Sequence, residues 1–183
     1  MIRTILIVML IVLAGTGCKQ QQQQQGQWGA GQAGQKPVVA PPAAIMDTEQ
    51  IRQLETIAKA NPNNAAAWTA WGNALMDAQR FADAIIAYQR ALELDPKNAD
   101  VRVDMGTCYH ALGQSDKALE EFGKAIKVRP DHPNAYRNSG VVSASLGRRA
   151  DAIRFFERYL QLVPGGGDAE QIRAELQNLK QAK

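Results

Sequence analysis

The sequence contains few of the residues from which catalytic centres, metal sites and disulfides are built. Among its 183 residues are two cysteines and two histidines. Two cysteines exclude a framework of disulfides, no His/Cys/Asp cluster has the spacing of metal ligands, and there is no phosphate-binding loop or nucleophile motif. The sequence therefore predicts a protein that is not an enzyme and that takes no metal, no cofactor and no small-molecule substrate.

The chain also lacks a block of charge of one sign. It has 21 lysines and arginines against 18 aspartates and glutamates, a net charge of +3, and the two signs are interspersed along residues 47–183. A basic patch or stripe is the usual mark of a protein that binds nucleic acid. We therefore expect no nucleic-acid partner.

The longest apolar run, residues 5–14, is too short to cross a membrane. A spanning helix needs about 20 apolar residues, whereas this run ends at Gly15-Thr16-Gly17, and Cys18 and a glutamine tract follow. An apolar run of this length behind Arg3 is typical of a secretory signal peptide. The small residues directly before Cys18 resemble the lipobox of bacterial lipoproteins, in which the peptidase cuts before the cysteine and the cysteine carries lipid.

This resemblance implies a protein of the bacterial cell envelope, attached to a membrane through lipid on Cys18 and facing the periplasm or the exterior. Residues 1–17 are then the signal peptide; an ordinary signal peptide or an uncleaved anchor are the alternatives. Lys19 is not the aspartate that retains enteric lipoproteins at the inner membrane, which favours the outer membrane where there are two. Residues 18–46 are rich in Gln, Gly, Ala and Pro, a composition that predicts a disordered tether.

A 34-residue period runs through the rest of the chain. Four residue types keep one register, which is very unlikely by chance and indicates an internal repeat. The repeated positions are Pro62, Pro96, Pro130 and Pro164; Gly72, Gly106 and Gly140; Ala84, Ala118 and Ala152; and Tyr88, Phe122 and Phe156.

This register is similar to that of the tetratricopeptide repeat, a helical hairpin with the pattern W-x2-L-G-x2-Y, A-x3-F and P. Trp68 and Trp71 belong to the pattern and also form the apolar stripe of an amphipathic helix. The resemblance implies an all-α, right-handed solenoid of helical hairpins, with full repeats at residues 65–98, 99–132 and 133–166.

A single helix is predicted at each end of the array. Residues 47–64 occupy the place of a second helix whose first helix is missing, because prolines stand where that helix would run; they are a half repeat. Residues 167–183 carry Ile172, Leu176 and Leu179 on one face and charges elsewhere, which is typical of the capping helix that such arrays need.

Glycines have two predicted roles in the repeats. Gly113 and Gly147 fall between paired helices, where a turn or C-cap favours glycine, and Ser115 is predicted to cap the helix that follows. The three repeated glycines lie inside first helices, where each costs about 1 kcal/mol relative to alanine. Close approach of the two helices of a hairpin is the predicted compensation.

In this family the fifth, ninth and twelfth residues of each repeat line a concave groove that binds a protein or peptide partner, and their spacing places them on one helix face. Each of them can equally be plain solvated surface. Arg137 has the one permanent charge among them and is the candidate for holding an acidic or carbonyl group. We call the nine positions the groove residues: Thr69, Asn73, Met76, Val103, Thr107, His110, Arg137, Val141 and Ala144.

One subgroup of the family grips the terminal carboxylate of a peptide with a clamp of lysine, arginine and asparagine. Of its five positions only Asn73 matches, since the others hold Thr69, Asp104, Asn134 and Asn138. We therefore predict no carboxylate clamp.

The resulting prediction is a membrane-anchored scaffold or assembly factor. An enzyme or thiol-redox accessory using Cys108 and His110 is one alternative, although Ala74 and Val142 share the repeat position of Cys108 and favour a packing role. A self-assembling structural module is the other alternative. His132 falls in a turn between repeats and is predicted to be a surface loop residue.

Overall fold

Eight helices and no strand form in residues 48–181, the part of the chain that the computed structural model describes. The predicted signal peptide, the lipidation site Cys18 and the predicted tether lie outside these residues. The helices are α1 (Thr48–Ala60), α2 (Ala65–Asp77), α3 (Phe81–Leu94), α4 (Ala99–Ala111), α5 (Ser115–Val128), α6 (Pro133–Ser145), α7 (Arg149–Leu162) and α8 (Ala169–Gln181).

The helices pair into three hairpins that stack in chain order. The hairpins are α2 with α3, α4 with α5 and α6 with α7, and each packs on the next through α3 with α4 and α5 with α6. The single helices α1 and α8 pack on the first and the last hairpin. This is the predicted array of three repeats with a lone helix at either end. In residues 48–181 none of the helices combines the length and the apolar character that crossing a membrane requires.

Each hairpin is closed by an aromatic ring of the second helix lying against a glycine of the first. A Cβ added at Gly72 would lie 2.6 Å from Tyr88 Cε1, and one at Gly106 would lie 2.5 Å from Phe122 Cε1. The third repeat has the same contact between Gly140 and its aromatic residue. All three rings are buried. The predicted reason for the mid-helix glycines, close approach of paired helices, is confirmed.

The turn inside each hairpin requires a left-handed residue. Gly113 and Gly147 have φ of +74° and +69°, and Gln79 takes the same place in the first repeat with φ of +57°. The predicted turn role of the two glycines is confirmed. The predicted cap at Ser115 is wrong by one residue, because Gln114 is the N-cap and makes no side-chain cap bond.

The first helix of every repeat is tied to the turn before it by the side chain at its fourth repeat position. This position holds tryptophan in the first repeat, arginine in the second and tyrosine in the third. All three side chains make the same kind of hydrogen bond, so arginine in place of tryptophan preserves it. Each side chain donates to a proline carbonyl six residues earlier: Trp68 Nε1 to Pro62 (3.2 Å), Arg102 Nη2 to Pro96 (2.9 Å) and Tyr136 Oη to Pro130 (3.0 Å).

The residues that begin the first helices differ between repeats. Asn64 Oδ1 accepts from two backbone N–H groups at the start of α2, and Asn98 caps α4 in the same way with one bond. His132 has the corresponding place before α6 but makes no cap bond. It is 3% exposed, so its prediction as a surface residue is wrong. Its Nε2 lies 3.1 Å from Asp100 Oδ1, and burial lowers the pKa of its imidazole.

The two end helices bury one apolar face each. In α8, Ile172 is buried, and Leu176 and Leu179 pack on the same core cluster, as predicted. In α1 the buried residues are Ile51 and Ala58, whereas Ile57 is 50% exposed.

Candidate functional site

The first helices of the three repeats form the inner side of the array. Helix α4 approaches both α2 and α6 with Cα atoms within 8 Å, whereas in residues 48–181 no such approach joins α3, α5 and α7 to one another. Where a stacked array of helices curves, the helices on its inner side remain close to one another and the helices on its outer side move apart. We call the side that α2, α4 and α6 share the concave face.

The nine groove residues all lie on these three helices, but they are not equally accessible. Asn73 is exposed and Val141 is 40% exposed, so both present their side chains to solvent. Val103 is only 4% exposed and belongs to a core cluster. The remaining groove residues are partly buried: Thr69, Met76, Thr107, His110, Arg137 and Ala144.

A tyrosine of the core reaches the concave face in the first repeat. The hydroxyl of Tyr88 donates to Asn73 Oδ1 at 2.8 Å and lies 3.7 Å from Met76 Sδ. Burial, followed by the charges of nearby acids, raises the pKa of Tyr88 above its ordinary value, so the hydroxyl stays a neutral donor. The corresponding residues of the other repeats, Phe122 and Phe156, have no hydroxyl. Only the first repeat fixes its groove side chains in this way.

The threonines of the groove are engaged with their own helices. Thr69 Oγ1 donates to the carbonyl of Ala65 at 3.0 Å, and Thr107 Oγ1 donates to the carbonyl of Val103 at 2.9 Å. Thr107 Oγ1 also accepts from Asn138 Nδ2 at 3.3 Å, which joins α4 to α6. These bonds limit how far the two hydroxyls can turn toward a partner.

Arg137 is ion-paired within the fold. Its Nε contacts a carboxylate oxygen of Asp168, and the hydroxyl of Tyr159 donates to the other oxygen. The hydrogen bond from Tyr159, which has the larger effect, and the contact with Arg137 together hold the pKa of Asp168 below its ordinary range. The charge of Arg137 is therefore already compensated. Sequence reasoning missed Asp168, although it has the same repeat position as Asp100, which also pairs with an arginine.

Asp104 is the second residue whose role the sequence did not reveal. It follows Val103 on α4 and is partly buried, and its carboxylate has no ion pair or hydrogen bond with any residue in 48–181. Burial raises its pKa to about 6, and the charges of Asp100 and Asp77 add to this effect. The sequence feature that could have revealed Asp104 is its position between two apolar residues, Val103 and Met105, which are both buried.

The pair Cys108 and His110 does not form a reactive centre. Cys108 is fully buried, and burial together with the charge of Asp104 raises the pKa of its thiol to about 12. A thiolate is the reactive form of cysteine, so the thiol is inert at neutral pH. His110 Nδ1 lies 3.1 Å from Ser115 Oγ, the first residue of α5. Within the described residues no three His, Cys, Asp or Glu side chains gather closely enough to hold a metal ion.

Comparison with known proteins gives matches to repeat proteins. The family model described as tetratricopeptide repeat matches residues 75–140. Tetratricopeptide repeat protein 28 of Homo sapiens is 40% identical over 84 residues, which are 46% of this chain and 3% of that protein. The chain thus spans a small part of the length of this curated relative.

Solved structures with the same architecture extend over most of the array. The crystal structure of MamA has a TM-score of 0.66 and 26% identity, and the match covers 71% of this chain and 76% of that one. The first TPR of Spaghetti (RPAP3), bound to the HSP90 peptide SRMEEVD, has a TM-score of 0.60 and 22% identity over 66% of this chain and 93% of its own. These matches confirm the predicted fold, an all-α tetratricopeptide-repeat solenoid.

Proposed function

From the tetratricopeptide-repeat fold of residues 48–181, we propose that the chain is a membrane-anchored scaffold or assembly factor of the bacterial cell envelope. A partner protein or peptide binds on the concave face. The observation that supports this most is that α2, α4 and α6 lie side by side, with side chains such as Asn73 and Val141 exposed to solvent. A continuous concave surface is what solenoids offer to partners.

The partner differs from the one bound by the TPR of Spaghetti. That domain holds the acidic peptide SRMEEVD. In this chain only Asn73 matches the carboxylate clamp, the clamp position at 104 holds an aspartate, and Arg137 is paired with Asp168. A partner that presents an acidic C-terminus would meet one side chain of the clamp, Asn73, and would be repelled by the negative charge of Asp104.

The lipid anchor is supported by the sequence around Cys18. Two or more acyl chains give stable attachment to a bilayer, whereas one holds only marginally. Replacing Cys18 with alanine is expected to move the protein from the membrane to the soluble fraction while its circular dichroism spectrum stays helical. Membrane retention of Cys18→Ala would instead favour the uncleaved anchor.

The groove is tested by crosslinked pull-down of the full-length protein from its own membranes. Val141→Gln changes an exposed apolar residue of the concave face, and Ile86→Gln changes a comparable residue, 60% exposed, on the outer helix α3. We expect Val141→Gln to lose proteins that the wild type and Ile86→Gln both recover. Identical sets of proteins from all three would contradict binding on the concave face.

A further inference from the structure

A buried histidine stands where the third repeat stacks on the second. His132 is 3% exposed and comes directly before α6, at the place where Asn64 comes before α2 and Asn98 before α4. Both asparagines accept hydrogen bonds from the helix that follows, whereas His132 makes no cap bond. Two repeats thus have a capping amide at this position, and the third has a side chain that can take up a proton.

The surroundings of His132 suit a neutral imidazole. Neither ring nitrogen makes an aligned hydrogen bond with a residue in 48–181. Nε2 lies 3.1 Å from Asp100 Oδ1 of α4, but the same oxygen already accepts from Arg129 Nη2. The Asp100 side chain is also 66% exposed, so solvent weakens its attraction for a charge on the ring. The acid nearest to the imidazole is therefore shared and screened.

A proton on His132 would place a charge where the fold disfavours it. The imidazolium would be buried, would lie at the N-terminal end of α6, where the helix dipole repels cations, and would lie beside the Arg129 guanidinium, which contacts the same carboxylate oxygen. Asp100 and the exposed Asp131 oppose these effects. Burial, the largest effect, and the charge of Arg129 outweigh the two acids, so the pKa of His132 lies below its ordinary value.

The place of His132 in the array gives this charge a local consequence. The third repeat packs on the second through α6, which contacts α4 and α5, and Thr107 Oγ1 of α4 accepts from Asn138 Nδ2 of α6 on the concave face. Helix α7 packs on α6 and α8 on α7, and within residues 48–181 neither of these two helices packs on α4 or α5. In a linear array, loosening one interface releases the units beyond it.

We propose that the junction of the second and third repeats is an acid-sensitive hinge, at the turn of residues 129–132. Protonation of His132 weakens the packing of α6 on α4 and α5, so that α6, α7 and α8 open as a unit while the first two repeats stay folded. Opening also moves Val141 and the rest of α6 away from α4. A partner on the concave face would then be released in acid, a consequence that rests on the proposed function.

Hydrogen exchange of the full-length protein at pH 7.5 and 5.5 tests the hinge, with rates corrected for the intrinsic effect of pH. If His132 is neutral in the closed junction and has a pKa of about 6.5 once the junction opens, protection of α6–α8 should fall about tenfold between the two pH values. Protection of α2 and α3 should change much less. His132→Asn, which introduces the asparagine of the other repeats, should abolish the difference. His110→Asn, which removes the second of the two histidines, is the control and should keep it.

The comparison between variants isolates His132 from the other titrating groups. Asp104 is present in all of these proteins, so its protonation cancels in the difference. His132→Gln, which also cannot titrate, replaces the asparagine variant if that variant does not fold. The inference is overturned if the wild type loses no protection in acid, if His132→Asn loses as much, or if α2 and α3 lose as much as α6–α8. No partner takes part in this measurement, so any of these results would leave the proposed function standing.

Discussion

Asp104 is a residue whose negative charge is disfavoured in the folded protein. Its carboxylate is partly buried beside Val103 and Met105 and faces the charges of Asp77 and Asp100. Burial and like charge both disfavour ionisation, so the pKa rises to about 6. Perturbed acids of this kind are concentrated at functional sites, although structural networks produce them too.

The replacement Asp104→Asn is expected to raise the free energy of unfolding by about 2 kcal/mol at neutral pH, because it removes a charge that the folded state disfavours. The pKa of Asp104 is raised on folding, so its penalty is present above about pH 6 and disappears as the pH falls toward about 4. The gain in the variant should shrink over the same range.

Urea unfolding of both proteins at several pH values measures this difference. His132, whose pKa is lowered by burial, destabilises the fold as the pH falls, which is the opposite direction. It is present in both proteins and cancels in the difference. A variant that is less stable than wild type at neutral pH would show that the Asp104 carboxylate has a stabilising partner.

The mid-helix glycines are the residue-scale feature that the sequence predicted best. Alanine at Gly106 would place its Cβ 2.5 Å from the Phe122 ring and 3.2 Å from the carbonyl oxygen of Ala118. Gly106→Ala is expected to destabilise the protein by about 1–3 kcal/mol, because overpacking outweighs the better helix propensity.

Gly123 is the control for this substitution. It also lies inside a helix, α5, but a Cβ there would have no neighbour within 4 Å. Gly123→Ala should therefore stabilise the protein by about 0.5–1 kcal/mol. Denaturation midpoints that move in the same direction for both alanines would contradict the account of hairpin closure.

At the scale of the element, the last helix depends on one polar cluster as well as on its apolar face. Ile172, Leu176 and Leu179 pack on the third repeat, and Asp168, just before α8, joins Arg137 of α6 to Tyr159 of α7. The apolar stripe could be predicted from local spacing. The cluster could not, because Arg137 and Asp168 are 31 residues apart and only packing brings them together.

Asp168→Asn is expected to loosen the docking of α8 without unfolding the repeats, since Arg137 loses its counter-charge. Hydrogen exchange at the amides of α8 should become faster, and that of α4 should stay unchanged. Glu175→Gln, on α8 itself but without a partner in the described residues, should exchange like wild type. Unchanged exchange in Asp168→Asn would mean that the apolar face alone fixes this helix.

The pH dependence of this docking follows from the same cluster. The pKa of Asp168 is lowered in the folded protein, so its contribution is present at neutral pH and is lost as the pH falls through the folded pKa. The difference between wild type and Asp168→Asn should therefore vanish in acid.

Helix starts were predicted less well than helix pairs. Ser115 looked like a cap by composition, but the tight turn after Gly113 leaves Gln114 at the cap and puts Ser115 inside α5. His132 lies in the turn before α6, as predicted, but it is buried there and not at the surface, and its Nε2 lies 3.1 Å from Asp100 Oδ1 of α4. The two errors have different physical origins. The first comes from the geometry of the turn within a hairpin, and the second comes from burial by residues distant in the sequence, and local composition reports neither.

For the whole molecule, the fold follows from a 34-residue period because each repeat contacts mainly its neighbours. The same period predicts that the groove residues lie on α2, α4 and α6. It does not predict how far each of these side chains is exposed or whether its charge is compensated. Val103 belongs to the core, Arg137 is neutralised, and Asp104 remains uncompensated, and each of these depends on contacts between different helices.

The central claim is that a partner binds on the concave face of the array while the chain is attached to a membrane. Site-specific photo-crosslinking in living cells tests it most directly, with the photoreactive residue placed at Val141 or, as a control, at Ile86 on the outer side. The account predicts a crosslink to another polypeptide from Val141 that is absent from Ile86. Crosslinks from Ile86 alone, or equal crosslinks from both positions, would contradict it.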